Sequence, residues 1–376
     1  MLINIENATP EKVLNNSFAI AVENILRAFA EQKHLVIGAR VFFKTIINDQ
    51  SGLYSLSSKS YAQEALSGLT EYYAILDQVS FYVSVDFNIS DKSFKWVQIG
   101  ESFKFVCGPL YFNDSAQLQK TKIVCENPLD SDFFKVIAAH YAEGINLSRC
   151  EMGFIALNGG GGSTKDIFER AIQNNEIVFC IVDNDKKHPG APFGGTCSHF
   201  LGSQITRSGF VEILDVHEIE SLVPLSTIED VLRSQSQLQQ KEKSLIFFKH
   251  LCSVDESVKF YIDHKKGFDF KTALELDRKH GAYWRPILKK LDIKYDCEYI
   301  ESKRCSCNAA CVSYDGFGEN LLSNTLKYIQ KGSLKKYNPH LTPVLSDKWY
   351  KLGKNFFSWS CGPYKKQGLV KLSQPR

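Results

Sequence analysis

The chain has 376 residues, of which 44% are hydrophobic and 23% charged, a balance that excludes a disordered polyelectrolyte and supplies enough sequence for two or three self-sufficient cores. Its N-terminus, MLINIENATPEK, has no basic segment followed by an apolar run, and no uninterrupted apolar stretch of about 18 residues occurs later, so a cytoplasmic chain without a membrane span is expected. The formal charge of +3 is unevenly spread: Leu321 to Arg376 carries ten lysines and one arginine against Asp347, a local +10 that leaves −7 on the first 320 residues.

In chain order, residues 1–119 predict an α+β unit. An apolar-periodic helix is expected near Val13–Phe29, a strand at Leu35–Phe43 and a helix near Tyr61–Leu76. FYVSVDFNI and FKWVQI, separated by a polar turn at Ser90–Ser93, predict a hairpin. From Lys122 the pattern alternates between strand and helix, which predicts parallel strands joined by crossover helices. The first strand, TKIVC, leads through ENPLDS into a helix near Asp132. The second, MGFIALN, runs into Gly159–Gly162, with Ser163 as the expected cap of the helix TKDIFERAIQ. The third, EIVFCIV, ends at Asp183-Asn184-Asp185, and a fourth, GFVEILDV, leads into His217-Glu218-Ile219-Glu220. The expected fold class is therefore α/β, with a central parallel-sheet domain at 120–225 between an N-terminal α+β domain and a helical, basic region at 226–376.

Eleven cysteines are scattered mostly through strand-like runs, as at Cys107, Cys180 and Cys252, where Cys acts as a small buried hydrophobe and no disulfide framework is expected. Cys297, Cys305, Cys307 and Cys311 cluster and admit two readings. They are either four thiolate ligands of a structural Zn²⁺, with His264 or His280 as alternates, or ordinary free cysteines, since paired C-x₂-C knuckles are missing.

Ligands of parallel α/β sheets gather at the carboxyl ends of the strands. Glu126 directly follows TKIVC, and Asp183 and Asp185 follow EIVFCIV, so three carboxylates are expected at one edge. A hard cation such as Mg²⁺ or Mn²⁺ takes oxygen ligands and bridges to phosphate, which suits metal-assisted phosphodiester hydrolysis. An isolated Asp-x-Asp after a strand is more often a solvated turn or a helix cap than a metal site; Glu126, the glycine run and the Glu218/Glu220 pair favour the metal reading. GGGGST is not a phosphate loop, because Lys165 follows the Ser-Thr pair.

These motifs resemble the Toprim domain of type IA and II topoisomerases, bacterial primases, recombination mediators and OLD-family nucleases. In that family one strand ends in Glu, usually within Glu-Gly-x-x-Asp, a second in a glycine turn and a third in Asp-x-Asp. IVCENPLDSDFF matches at Glu126 and Asp130, with Asn127 at the glycine position, and IALNGGGG and VFCIVDNDKK match the other two. VHEIESLVP is similar to the Glu-Ile-Glu stretch of phage-defence Toprim nucleases, which implies a further metal-site acid at Glu218 first and Glu220 second; helix capping is the alternative. The resemblance covers about residues 120–225. It implies a Mg²⁺- or Mn²⁺-dependent endonuclease with Glu126, Asp183 and Asp185 at its centre and Asp130, Glu218 and Glu220 in support. Glu126 is alternatively a general acid/base. It also implies a role in antiviral defence, with any controlling ATPase or regulator on a separate chain; a homodimer is compatible. The rival readings are a non-catalytic Toprim-fold module that binds nucleic acid or a partner, and a primase-like enzyme.

Lysines neutralise phosphates, so Lys186 and Lys187 beside the acids, with Lys335, Lys336, Lys351, Lys354, Lys365 and Lys366 in the basic tail, are expected to contact nucleic acid. The tail's aromatics, including Trp349, Tyr350, Phe356, Phe357 and Trp359, either stack on bases or form the core of a small subdomain.

Overall fold

Apolar runs too short for helices, separated by amphipathic segments, generate two five-stranded sheets in a computed structural model of the chain, which describes residues 1–147, 150–202, 204–291, 313–332 and 337–364. The first sheet contains β1 (Leu2–Glu6), β2 (Leu35–Gly38), β3 (Phe81–Asp86), β4 (Phe94–Ile99) and β5 (Ser102–Cys107), in the order β2-β1-β3-β5-β4. Its helices are α1 (Asn16–Ala30), α2 (Arg40–Ile47) and α3 (Leu56–Tyr73). Asn15 caps α1 by accepting the Ser17 N–H, and the helix buries Phe18, Val22, Ile25, Leu26 and Phe29.

Two expectations for this unit are corrected. The strand at Leu35 stops at Gly38, where an added Cβ would lie 2.8 Å from the Cβ of Ile5, and the chain turns into α2 with Phe42, Phe43 and Ile46 buried. The hairpin does not form between β3 and β4. β5 lies between them, parallel to β3 (Val83 opposite Phe105) and antiparallel to β4 (Trp96 opposite Phe105). β3 is buried on both faces and takes a central place, whereas β4 is largely accessible and suits an edge. With four of its five strands parallel, the N-terminal unit is α/β and not α+β.

The second sheet takes β6 (Thr121–Cys125), β8 (Phe154–Asn158), β9 (Val178–Val182), β10 (Ile205–Thr206) and β11 (Gly209–Ile213), in the order β10-β11-β9-β6-β8. All but the β10 edge run parallel. The run MGFIALN divides, and β7 (Cys150–Met152) pairs away from this sheet. Helix α4 (Pro128–Gly144) covers the face of Ile123, Phe179 and Ile181 with Phe133, Phe134 and Ile137. Helix α5 (Thr164–Gln173) covers the opposite face, with Phe168, Ala171 and Ile172 against Val124, Cys180, Val182 and Val211. β9 is therefore buried on both sides, the reason its sequence is a continuous apolar run.

The rest of the chain contributes α6 (Leu225–Ser234), α7 (Leu238–Val254), β12 (Gly267–Asp269), α8 (Phe270–His280), α9 (Trp284–Lys290), β13 (Ser313–Asp315), α10 (Leu321–Gly332), α11 (Pro343–Ser360) and β14 (Cys361–Pro363). β12 and β13 form an antiparallel ribbon, and β14 pairs with β7. α11 is no appended basic tail. It runs along α4, where a Cβ at Gly353 would lie 2.7 Å from the Cβ of Tyr141, and Trp359 stacks between Phe81 of the first sheet (3.7 Å between centroids) and Phe179 of the second (5.1 Å). Trp349, Phe356, Phe357 and Trp359 are buried, which decides the tail's aromatics in favour of core; Tyr350 and Tyr364 stay about half exposed. Cys107 and Cys180 are buried free thiols and Cys252 a partly buried one. Cys297, Cys305, Cys307, Cys311, Lys335, Lys336, Lys365 and Lys366 lie outside the described residues. Among the described residues no helix is long and apolar enough to cross a membrane.

Candidate metal centre

β6 and β9 are neighbours in parallel register, with Val124 opposite Cys180, so the residues that follow them, Glu126 and Asp183, emerge at the same edge of the sheet. The backbone at Asn127 is extended (φ −131°), so no left-handed turn follows Glu126. Asn127 caps α4: its side chain accepts the Leu129 N–H at 3.0 Å, while its own N–H donates to Asp130 at 2.8 Å. Asp130 therefore carries a structural task. The glycine run lies directly behind Glu126, with the Gly159 N–H on the Cys125 carbonyl and the Gly160 N–H on that of Glu126. A Cβ at Gly159 would fall 2.3 Å from Oγ1 of Thr164. The expected cap at Ser163 makes no side-chain hydrogen bond; the adjacent Thr164 hydroxyl donates to the Gly161 carbonyl at 2.7 Å.

The three residues at the end of β9 have different surroundings. Asp183 is partly buried and accepts the Ile219 N–H at 3.1 Å. Asn184 is buried; its N–H reaches the Val216 carbonyl, its carbonyl accepts the Gly194 N–H and its side chain accepts the Lys186 N–H. Asp185 is exposed and adopts a left-handed backbone (φ 57°), which Asp tolerates better than most residues.

The Asp183–Ile219 hydrogen bond draws the segment after β11 into the site, but Glu218 and Glu220 go different ways. Glu220 is buried and lies 3.3 Å from Nζ of Lys265, and its charge acts on Asp130 and Asp183. Glu218 accepts the N–H groups of His264 and Lys265 and also pairs with the Lys265 ammonium at 3.3 Å. The structure thus couples Glu220, the second choice from sequence, to the Asp183 side of the site, and turns Glu218 toward His217 and Asp263. Among the described residues, His217, Glu218 and Asp263 are the group of three whose ligand atoms all lie within 4.8 Å of one another; Glu126, Asp183 and Asp185 are spaced more openly.

The electrostatics follow from crowding. Burial, then the charge of Asp185, raises the Glu126 pKa. Burial, then Asp130, Glu126, Glu220 and Asp185, raises that of Asp183 well above its ordinary value. Asp130 is pushed up to about 7, by burial first and then by Glu220 and Glu126, against the Asn127 N–H that favours its charge. Oε1 of Glu126 is buried without a hydrogen-bond partner. Lys265 offsets part of this. Burial disfavours its charge, but Glu218 and Glu220 hold its pKa above the usual lysine value, and it in turn lowers Glu126 and Asp130. A group of carboxylates in so little water accommodates a divalent cation at the point where their charges repel.

Sequence reasoning missed Lys265, Asp263 and His217. Asp263 is buried, yet the His217 imidazole 3.9 Å away and hydrogen bonds from the Lys266 N–H and the Lys187 ammonium keep it well below the usual range. The only local signal was the charged run Asp263-His264-Lys265-Lys266 directly after apolar Tyr261-Ile262, which carries no spacing toward the earlier acids. Of the lysines expected to meet nucleic acid, Lys186 lies over the Phe193 ring at 3.9 Å and Lys187 pairs with Asp263 at 2.9 Å, both beside the acids. Lys351 and Lys354 stand on α11, the former paired with Asp347. No family model matches the chain, and neither the curated proteins nor the solved structures provide a match.

Proposed function

We propose that the chain is a Mg²⁺- or Mn²⁺-dependent nuclease of the Toprim type that hydrolyses phosphodiester bonds of DNA or RNA. One observation carries the reading: Glu126 and Asp183, from the ends of adjacent parallel strands, share a poorly solvated volume with Asp130 and Glu220, the exposed Asp185 acts on both, and a buried oxygen of Glu126 lacks any donor. An all-oxygen, charge-dense donor set with an unpartnered acceptor fits a hard divalent cation. Glu126, Asp183 and Asp185 would hold it, with Asp130 and Glu220 behind them. When bound, such an ion supplies an activated water and takes up charge on the leaving oxygen.

The chain's own groups do the rest. The Ile219 N–H orients Asp183, and the backbone bonds of Asn184 fix the turn that presents Asp185. Alternatively, with Asp183 and Asp185 alone holding the ion, Glu126, its pKa raised by burial and Asp185, is the group suited to hand a proton to the leaving oxygen. Lys265 brings a fixed positive charge to the acids and to a phosphate lying against them. Lys186 and Lys187 stand on the loop after Asp185, where an incoming polyanion meets positive charge first. The resemblance favours a role in antiviral defence under the control of a separate ATPase.

The test is incubation of plasmid DNA, single-stranded DNA and total RNA with the pure chain in Mg²⁺ or Mn²⁺, beside Glu126→Ala and Asp183→Ala. Metal-dependent cutting lost in both variants is the expected result. Cutting retained in both places the chemistry elsewhere. Folded protein that binds nucleic acid and never cuts it supports the non-catalytic module.

A further inference from the structure

Next to the acids a cleft of about 230 Å³ opens between the β12–β13 ribbon and α8. Lys187 and Asp263 line it; Asp263 lies beside Glu218, and Lys265, paired with both Glu218 and Glu220, links that side to the metal-site acids. Its volume is below the roughly 300–1,000 Å³ of pockets that enclose drug-sized ligands, and it suits one planar base better than a length of strand. The partly buried Tyr314 forms apolar wall, with the buried Trp284 behind it; the Trp284 indole is held in place by donating to the Lys187 carbonyl at 3.0 Å, and one face of the Tyr314 ring stacks on Phe247 at 3.8 Å. Two carboxylates lie on the ribbon: Asp269, one oxygen of which accepts the Thr272 N–H, and the exposed Asp315. The exposed Lys266 supplies positive charge, while Lys187 is paired with Asp263 at 2.9 Å.

We propose that this cleft holds the base of a nucleotide adjoining the bond to be cut, and that it selects guanine. Calling that nucleotide part of a substrate strand rests on the nuclease reading; its binding does not. A ring such as Tyr314 stacks on any base, and a lysine such as Lys266 pairs with any phosphate, so selection falls to the carboxylates. A carboxylate has only acceptors. Guanine's Watson–Crick edge offers two parallel donors to its two oxygens, adenine and cytosine offer one amino group beside an acceptor, and uracil offers a single N–H between two carbonyls.

The experiment is calorimetric titration of the full chain with GMP, AMP, CMP and UMP in EDTA, where no metal-dependent cutting occurs. GMP is expected to bind at least about ten-fold more tightly than UMP, a difference of about 1.4 kcal/mol. Asp315→Asn should erase that preference. Thr272→Trp, an exposed position on α8 that lines the cleft, should block all four nucleotides, and Asp183→Ala should leave binding unchanged. Absence of GMP binding at millimolar concentration, equal binding of UMP, or binding indifferent to both cleft variants would overturn the proposal. Cleavage without nucleotide binding removes the cleft and leaves the nuclease; nucleotide binding without cleavage in any metal does the reverse.

Discussion

Gly194 and Asp185 are in such close contact that a Cβ at position 194 would lie 2.1 Å from Oδ2 of Asp185. The loop returns to the end of β9 through the hydrogen bond from the Gly194 N–H to the Asn184 carbonyl, and the Asp185 carboxylate fills the space that a side chain would need. Gly194→Ala must displace that carboxylate. Cleavage is expected to fall roughly a hundred-fold, the scale of a misplacement of about 1 Å at a reacting centre, while circular dichroism and the melting temperature change little.

Crowded carboxylates set a sign that metal should reverse. In EDTA, Asp183→Asn relieves repulsion with Asp130, Glu126, Glu220 and Asp185, and the amide oxygen still accepts the Ile219 N–H, so the variant should be more stable than wild type by about 1–3 kcal/mol. With millimolar Mg²⁺ the wild type gains stability through ligand linkage and the variant gains less. A melting temperature in EDTA that drops on substitution would argue against electrostatic crowding at this edge.

Trp359 joins the two sheets through near-parallel stacking on Phe81 and Phe179, at 7° and 8° between planes. Trp359→Ala is expected to cost about 3–5 kcal/mol in a denaturant titration. Because the cavity opens between the sheets, intrinsic probes in both should lose protection together in hydrogen exchange.

Lys259 is buried, donates to the Val223 carbonyl, and has its pKa lowered to about 8 by burial. Between about pH 8 and the unfolded value of 10.5 the unfolded chain binds more protons at this site than the folded one, so this group makes stability rise with pH across that window; below it the burial penalty is fully present. Lys259→Met should therefore stabilise the chain at pH 7 by about 1–2 kcal/mol, once the lost hydrogen bond to Val223 is allowed for. The alkaline rise should flatten in the variant.

Much of the second sheet is legible in the sequence. β6 and β9 lie where TKIVC and EIVFCIV predicted them, and Glu126 and Asp183 emerge at strand ends, because continuous apolar runs alternating with amphipathic helices leave a parallel sheet as the economical way to bury both faces. Within the helical region expected at 226–376, the break between α6 and α7, where Ser236 takes a left-handed conformation, was not specified.

What depended on pairing between distant segments was not legible. Periodicity reports which face of an element is buried, not what covers it. β3 and β4 looked like a hairpin because both carry strand patterns near a polar turn, yet β5 inserts between them. Trp359 read equally as a stacking platform for bases, until its place between Phe81 and Phe179 showed it to be core. Glu218 and Glu220 are two residues apart, and their separate roles were decided by Asp263, His264 and Lys265, which the tertiary fold brings beside them. The residue types of the site and their strand ends were thus determined locally by composition and period, whereas the cation that tempers them and the cleft beside them arose only when long-range packing closed the chain.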